Sequence, residues 1–233
     1  MTRLLAGLSI TVLASAALCA CAPPHPHARF HWRDSGWGRD SSWDGGSLKT
    51  ISKLDCPDND GVLSRTAAAA DGQSCAYAID GGGVVELKLV KLAGADVAAT
   101  LKPVEDQLRG EVTVHNTSAD HADVKDEGDV NIDAPGVHIH AGSGGANVET
   151  NGATVKAGDG GVEIRTDEHG DGVRKILLLV SETPGPHGYK IAGYEARGPS
   201  DGPLVVATVM ERNDDHRDDV HRAVSDLLRH NLG

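Results

Sequence analysis

The chain has few aromatic and few basic side chains. Phe, Trp and Tyr together make up 3% of its 233 residues. The core must therefore be built from Val, Ile, Leu and Ala, and we expect it to be thin. Only 22 Lys and Arg stand against 34 Asp and Glu, which gives a formal net charge of −12. This acidity argues against nucleic acid and against an anionic membrane surface as partners.

Sequence motifs of several functional classes are missing as well. No Gly-x-Ser-x-Gly nucleophile elbow occurs, which argues against a hydrolase of that type. The Gly-rich run at 140–145 follows a short alternating strand and precedes no helix, so we interpret it as a turn and not as a nucleotide-binding loop. The acidic run at 58–61 fails as a calcium loop, because Cys56 and Ala67 would occupy its first and twelfth ligand positions.

The amino terminus carries an export signal. Arg3 precedes an apolar run over residues 4–18, which is too short for a transmembrane helix and lies close to a small-residue cleavage region. The sequence Leu-Cys-Ala-Cys at 18–21 resembles a bacterial lipoprotein signal. That resemblance implies removal of residues 1–20 and lipidation of Cys21, with simple secretion as the alternative. Ala22, in place of Asp, implies the outer membrane, facing the periplasm.

Residues 21–46 are predicted to form the lipidated amino terminus and a linker rich in Trp, Gly and Pro. All three Trp and the single Phe of the chain lie here among Arg residues, at Phe30, Trp32, Trp37 and Trp43. Interleaved Arg and Trp could bind glycan, a polyanion or lipid headgroups. We favour a tether lying near the membrane, because Trp prefers the membrane interface.

Residues 47–114 form the first predicted folded unit. Alternating runs between turn residues predict strands at 48–56, 62–66, 74–79, 84–92 and 111–114. Apolar residues at helical spacing predict a helix over 96–109, which Pro103 weakens or kinks. Cys56 and Cys75, the cysteines left after export, most simply form one disulfide, which should stabilise the fold by about 3 kcal/mol. The chain has no Cys-x-x-Cys pair, so a redox role is not expected.

An internal repeat over residues 130–172 is the strongest pattern in the chain, and an acidic linker at 115–129 precedes it. Residues 130–145 and 146–161 match position by position, with two alternating runs around a two-residue turn. The predicted pairs are Val130 with Ala141, Ile132 with Ile139, Ala134 with Val137, Ala146 with Ala157, Val148 with Val155 and Thr150 with Ala153. A meander of hairpins is favoured over the alternative, a short β-solenoid with Gly at its corners.

The polar face of this repeat carries the chemical hint of the sequence. His138 and His140 lie two apart on a strand and therefore share a face. In the predicted register Asp133 lies opposite His138, and Asn131 lies opposite His140. Two imidazoles beside a carboxylate could bind zinc or copper. The alternative is a solvated polar face on which Asp and His pair weakly.

Residues 173–233 are predicted to form a β-β-β-α unit. The strands are expected at 173–181, 189–197 and 204–211. Asp214 or Asp215 should cap the last helix. Its apolar stripe comprises Val220, Ala223, Val224, Leu227 and Leu228. His216, Asp219 and His221 near its start are expected to be solvated and not to bind a ligand.

Two blocks of the sequence resemble recurring blocks in uncharacterised exported proteins of alphaproteobacteria. The first comprises Leu-Asp-Cys-Pro at 54–57 and Ala-Asp-Gly-Gln-Ser-Cys-Ala-Tyr at 70–77. The second comprises Gly-Tyr-Glu-Ala-Arg-Gly-Pro at 193–199 and Gly-Pro-Leu-Val at 202–205. This resemblance spans about two thirds of the chain and implies no activity.

The sequence as a whole predicts a mainly β, α+β fold of short antiparallel strands and hairpin repeats, with one or two helices that include a carboxyl-terminal amphipathic one. The expected function is that of a non-enzymatic cell-envelope lipoprotein, anchored by lipid, that acts as a binding or scaffolding module. Other envelope proteins or glycan are the candidate partners. One alternative is a periplasmic zinc- or copper-binding protein that uses His138, His140 and Asp133, and the other is an envelope enzyme.

Overall fold

A computed structural model describes residues 48–92, 94, 96–114, 130–134, 137–142, 145–169, 172–213 and 215–233. Of residues 130–134, 137 and 169 it describes the backbone alone. The predicted signal peptide, Cys21, the Trp-rich linker and the acidic linker lie outside the described residues, and those predictions stand untested. In the described part of the chain, neither helix combines the length and apolar character that crossing a membrane requires.

The described residues form twelve strands and two helices. The strands are β1 Asn59–Asp60, β2 Leu63–Ala68, β3 Ser74–Ile79, β4 Gly83–Val90, β5 Val130–Ala134, β6 Val137–Gly142, β7 Gly145–Thr150, β8 Ala153–Gly158, β9 Gly161–His169, β10 Val173–Ser181, β11 Ile191–Gly198 and β12 Leu204–Glu211. The helices are α1 Val97–Glu111 and α2 Arg217–Leu232. The mainly β fold class with a carboxyl-terminal helix is therefore confirmed.

All twelve strands belong to one open antiparallel sheet. Their order is β1-β2-β3-β4-β12-β11-β10-β9-β8-β7-β6-β5. The long-range step is the pairing of β4 with β12, from Val90 opposite Leu204 to Gly83 opposite Glu211. Strands from all three predicted segments thus lie in the same sheet. The predicted domain boundaries between those segments remain predictions.

The hairpin repeat has the predicted register. Ile132 pairs with Ile139, and Val148 pairs with Val155, and the remaining predicted pairs of both blocks are present as well. Gly152 has a φ of 101°, as the second residue of the Asn-Gly turn requires. Because each strand from β5 to β9 pairs antiparallel with the next, this segment is a meander and not a solenoid.

Each helix packs on one face of the central strands. Helix α2 buries Val220, Ala223, Val224, Leu227 and Leu228, the predicted stripe, against apolar residues of β2–β4 and β12. Helix α1 buries Leu101 and Leu108 on the opposite face, against apolar residues of β10–β12. Asp96 caps α1, with its carboxylate accepting hydrogen bonds from the N–H groups of Ala98 and Ala99.

Three local predictions are wrong. Residues 48–56 do not form a strand, because their backbone bonds to the carboxyl end of α2: Lys49 N–H donates to the Leu232 carbonyl, and Asp55 N–H donates to Asn231 Oδ1. Residues 111–114 do not form a strand either, because Glu111 is the last residue of α1 and residues 112–114 follow it without regular structure. His216, and not Asp214 or Asp215, occupies the capping position of α2 without a side-chain cap, and the acidic charge lies one turn later at Asp218 and Asp219.

The disulfide between Cys56 and Cys75 is present, with a Cα–Cα distance of 6.2 Å. It joins residues 48–56, which bond to the end of α2, to the buried face of β3, where Cys75 is 1% exposed. The bridge therefore fixes residues 48–56 to the sheet, although they do not belong to it as a strand.

Two buried tyrosines provide a matched test of hydrogen bonding in this core. The Tyr77 hydroxyl is buried without a hydrogen-bond partner among the described residues, and burial raises the pKa of Tyr77 to about 12. The Tyr194 hydroxyl donates to Glu105 Oε1 at 2.8 Å. We expect Tyr77→Phe to leave the free energy of unfolding unchanged or to raise it by up to about 1 kcal/mol, and Tyr194→Phe to lower it by about 1–2 kcal/mol.

Urea unfolding of both variants and the wild type measures this difference. Both variants remove one hydroxyl from a buried tyrosine ring. Each is therefore the control for the other, and the difference between them reports the hydrogen bond to Glu105. A larger loss of stability for Tyr77→Phe than for Tyr194→Phe would contradict the assignment of partners.

Candidate functional site: the hairpin array

Strands β5–β9, called here the hairpin array, carry an apolar face made of aligned rows. Across β6, β7, β8 and β9, Ile139, Val148, Val155 and Ile164 lie side by side in register. A second row consists of Ala141, Ala146, Ala157 and Val162. Cross-strand apolar pairs of this kind stabilise a sheet. The rows also create a continuous surface of Ala, Val and Ile side chains without a charge.

This apolar face is only half-buried. Ile139, Val148, Val155 and Ile164 are all partly exposed. Their row continues into Leu178 of β10, which is 5% exposed. Burial increases from β9 to β10 because the helices pack near β10 and not on the array: α2 packs on β12, β11 and β1, and α1 packs chiefly on β11. An apolar surface rimmed by polar residues is typical of an interaction site.

The opposite, polar face of the hairpin array carries the predicted metal residues. His138 lies between Asp133 of β5 and Glu149 of β7 in register, and His140 lies between Asn131 and Asn147. Both imidazoles are exposed. The side chain of Asp133 is not described. Among the described residues, no group of three or more His, Cys, Asp and Glu side chains is arranged to hold a metal ion.

A partly buried ion network attaches the hairpin array to α1. Arg109 Nη2 lies 2.7 Å from Glu163 Oε1, and Arg165 Nε lies 2.8 Å from the same oxygen. The Arg165 guanidinium also donates to both oxygens of Glu105, at 3.2 and 2.7 Å. Two carboxylates thus balance two guanidiniums, in a bidentate geometry that is stronger than a single contact. The Tyr194 hydroxyl completes the network through Glu105.

The network determines the ionisation of Glu163, which is 5% exposed. Burial alone would raise the pKa of this carboxyl. Hydrogen bonds and charge from Arg109 and Arg165 together outweigh burial and lower the pKa to about 2 from its ordinary value of 4.5. Glu163 is therefore ionised at neutral pH, and its charge is used structurally.

Sequence reasoning missed this network, although a signal for it was present. Glu163, Arg165 and Asp167 alternate on β9 and so share the face that meets α1. On α1, Glu105 and Arg109 lie four residues apart and therefore on one side of the helix. Reading the two patterns together would have required knowing that β9 and α1 are neighbours.

The predicted residues at the start of α2 behave differently from one another. His216 and Asp219 are exposed, as expected. His221 is not solvated as predicted, because it is half-buried between the helix and the sheet. Burial lowers the pKa of His221, and the nearby carboxylate of Glu195 opposes that change.

Comparison with known proteins adds no relative. No protein-family model, no curated protein and no solved structure matches this chain.

The network should make stability depend on pH in a defined window. Because the pKa of Glu163 is lowered in the folded state, its contribution is present above about pH 4.5 and is lost as the pH falls towards about 2. We expect Glu163→Gln to lower the free energy of unfolding at pH 7 and to flatten its decline between those values. Chemical denaturation at a series of pH values measures both effects.

Glu149→Gln is the matched control, because Glu149 is exposed on the same face of the hairpin array. It should leave the decline between pH 4.5 and 2 as in the wild type. An equal flattening in both variants would show that Glu163 has no special role.

Proposed function

We propose that the protein is a non-enzymatic cell-envelope lipoprotein that binds another envelope protein through the apolar face of the hairpin array. The observation that supports this proposal is the half-burial of the rows through Val148 and Val155, whose side chains carry no charge. A sheet with a partly exposed apolar face gains free energy when a second surface covers it.

The rest of the fold suits such a role. The ion network holds β9 to α1, and the two cores on β10–β12 give the array a fixed base. A rigid surface loses little conformational entropy on binding, which favours affinity. The predicted lipid on Cys21 and the Trp-rich linker would supply attachment to the membrane, as the sequence suggests.

Site-specific photo-crosslinking in cells tests the proposed face. A photoreactive benzoylphenylalanine replaces Val155 on the apolar face or, in the control, the exposed Lys156 on the polar face. These neighbouring positions share a strand and differ only in face. We expect a discrete crosslinked protein from position 155 and none from position 156, with the product identified by mass spectrometry.

A second change makes the result specific. Val148→Glu places a charge in the same apolar row and should abolish the product from position 155, because burying an unpaired charge is costly. Equal products from both positions would contradict the proposal, as would a product that persists with Val148→Glu. A product containing only a second copy of the chain would assign the face to self-association.

Zinc or copper binding by the polar face is a second candidate function. The observation that favours it is the register, which sets His138 between Asp133 and Glu149 and places His140 on the same side. Imidazole and carboxylate are ligands that zinc accepts. A third or fourth ligand would have to come from this row of polar residues or from the acidic linker.

Calorimetric titration of zinc and copper into the full chain, together with His138→Ala/His140→Ala, tests this candidate. Submicromolar binding that the double variant loses would support it, because two ligands are then missing. Glu149→Gln separates the contribution of the neighbouring carboxylate. Millimolar binding that is indifferent to both changes would remove metal handling from consideration.

A further inference from the structure

A cleft lies between the sheet and the first turns of α2, away from the hairpin array. The empty space in and above it is about 380 Å³, a figure that includes open solvent. Its lining is aliphatic at Leu178, Ile191, Val209, Val220 and Val224. Polar side chains of Tyr194, Glu195, Glu211, Arg217 and His221 complete it. A concave apolar space with a few polar groups is the usual form of a small-molecule site.

The cleft exists because one row of the sheet lacks a side chain at its centre. Gly193 of β11 lies directly between Leu178 of β10 and Val209 of β12. The helix passes over this row, so the missing side chain leaves a space under α2. A Cβ on Gly193 would come within 2.5 Å of the Leu177 carbonyl oxygen, so the sheet itself keeps this position free of a side chain.

The polar group of interest in the cleft is Glu195, which is 4% exposed. Its Oε1 accepts hydrogen bonds from Arg174 Nε at 3.0 Å and from Arg197 Nε at 2.6 Å. Its Oε2 is buried and has no hydrogen-bond partner among the described residues. A buried carboxylate oxygen without a donor is costly, so a ligand that brings a donor is favoured.

The charges around Glu195 restrict what that donor can be. Arg174 contacts both Glu195 and Glu168, while Arg197 is 8% exposed and contacts Glu195. Two guanidiniums therefore already neutralise two carboxylates, and Arg217 and Glu211 of the lining add one charge of each sign. A cationic ligand would add to the positive charge of the arginines, and an anionic one would face Oε2. A neutral donor on an aliphatic body satisfies both constraints.

We propose that this cleft binds a short branched aliphatic molecule or chain end with one uncharged hydroxyl, which donates its hydrogen bond to Glu195 Oε2. The aliphatic part fills the space above Gly193 and contacts Val209 and Val220. This site is independent of the apolar face of the hairpin array, and either proposal can fail without the other.

Methyl-resolved NMR of the full chain, titrated with 2-methylpropan-1-ol, tests the site. We expect saturable shifts confined to the methyl groups of Leu178, Ile191, Val209, Val220 and Val224, with a dissociation constant of roughly millimolar order for so small a ligand. The matched probe is 1-chloro-2-methylpropane, which has the same skeleton and no donor. It should bind about tenfold more weakly or worse, because it leaves Oε2 unsatisfied.

Two variants locate the probe. Val209→Phe fills the cleft and should abolish the saturable shifts, while Thr208→Val, on the opposite face of β12, should leave them unchanged. Glu195→Gln should remove the preference of the cleft for the alcohol over the chloride. Because each spectrum also reports whether the variant is folded, loss of binding is distinguished from loss of structure.

Three results would overturn the proposal. Shifts that rise linearly to the solubility limit would show that no site exists. Shifts that persist with Val209→Phe would place the probe elsewhere. Equal affinity for the alcohol and the chloride would show that Oε2 already has a water molecule as its donor and does not select the ligand.

Discussion

The structure depends on how a single open sheet covers its two faces. Twelve strands present two broad surfaces, and the described part of the chain has two helices, of 15 and 16 residues, that pack on them. Both helices pack on the middle of the sheet, where they bury the strands β10–β12 and, with α2, β3 and β4. The strands nearer the two edges of the sheet need other contacts to bury their faces. These contacts differ between the β1–β4 end and the β5–β9 end.

On the side of β1–β4, an irregular segment that the disulfide holds in place adds to the covering by α2. Residues 48–56 bond to the end of α2, and Cys56 joins them to β3. On the side of β5–β9, the face that meets α1 is polar, and ion pairs replace apolar packing there. On the opposite face neither device occurs among the described residues, and its apolar rows are half-exposed there.

The sequence predicted features that depend on local rules. The register of the hairpin repeat follows from alternation across two-residue turns, so Val148 opposite Val155 was predictable. The stripe of α2 follows from helical spacing in the same way. The segment 48–56 has a similar alternation, yet its backbone partners are on α2. A local pattern does not reveal which distant element supplies those partners.

Long-range neighbours account for the rest of what the sequence could not show. The pairing of β4 with β12 joins residues more than a hundred positions apart, and neither strand carries a signal for the other. The Glu163 network and the half-burial of His221 both depend on such neighbours, since one needs α1 beside β9 and the other needs α2 above Glu195. The sequence shows each of these charged residues, but it does not show which distant side chains surround it in the fold.

The position of the repeat at the end of the sheet has a consequence for how this fold can change size. Residues 130–145 and 146–161 are equivalent blocks of two strands each. Duplicating one block would widen the sheet by about 9–10 Å, because neighbouring strands lie about 4.8 Å apart. Each block has an even number of strands, so the next strand would run in its former direction and show the same face. The width of the sheet can thus increase or decrease by one two-strand block at a time without a change in either hydrophobic core.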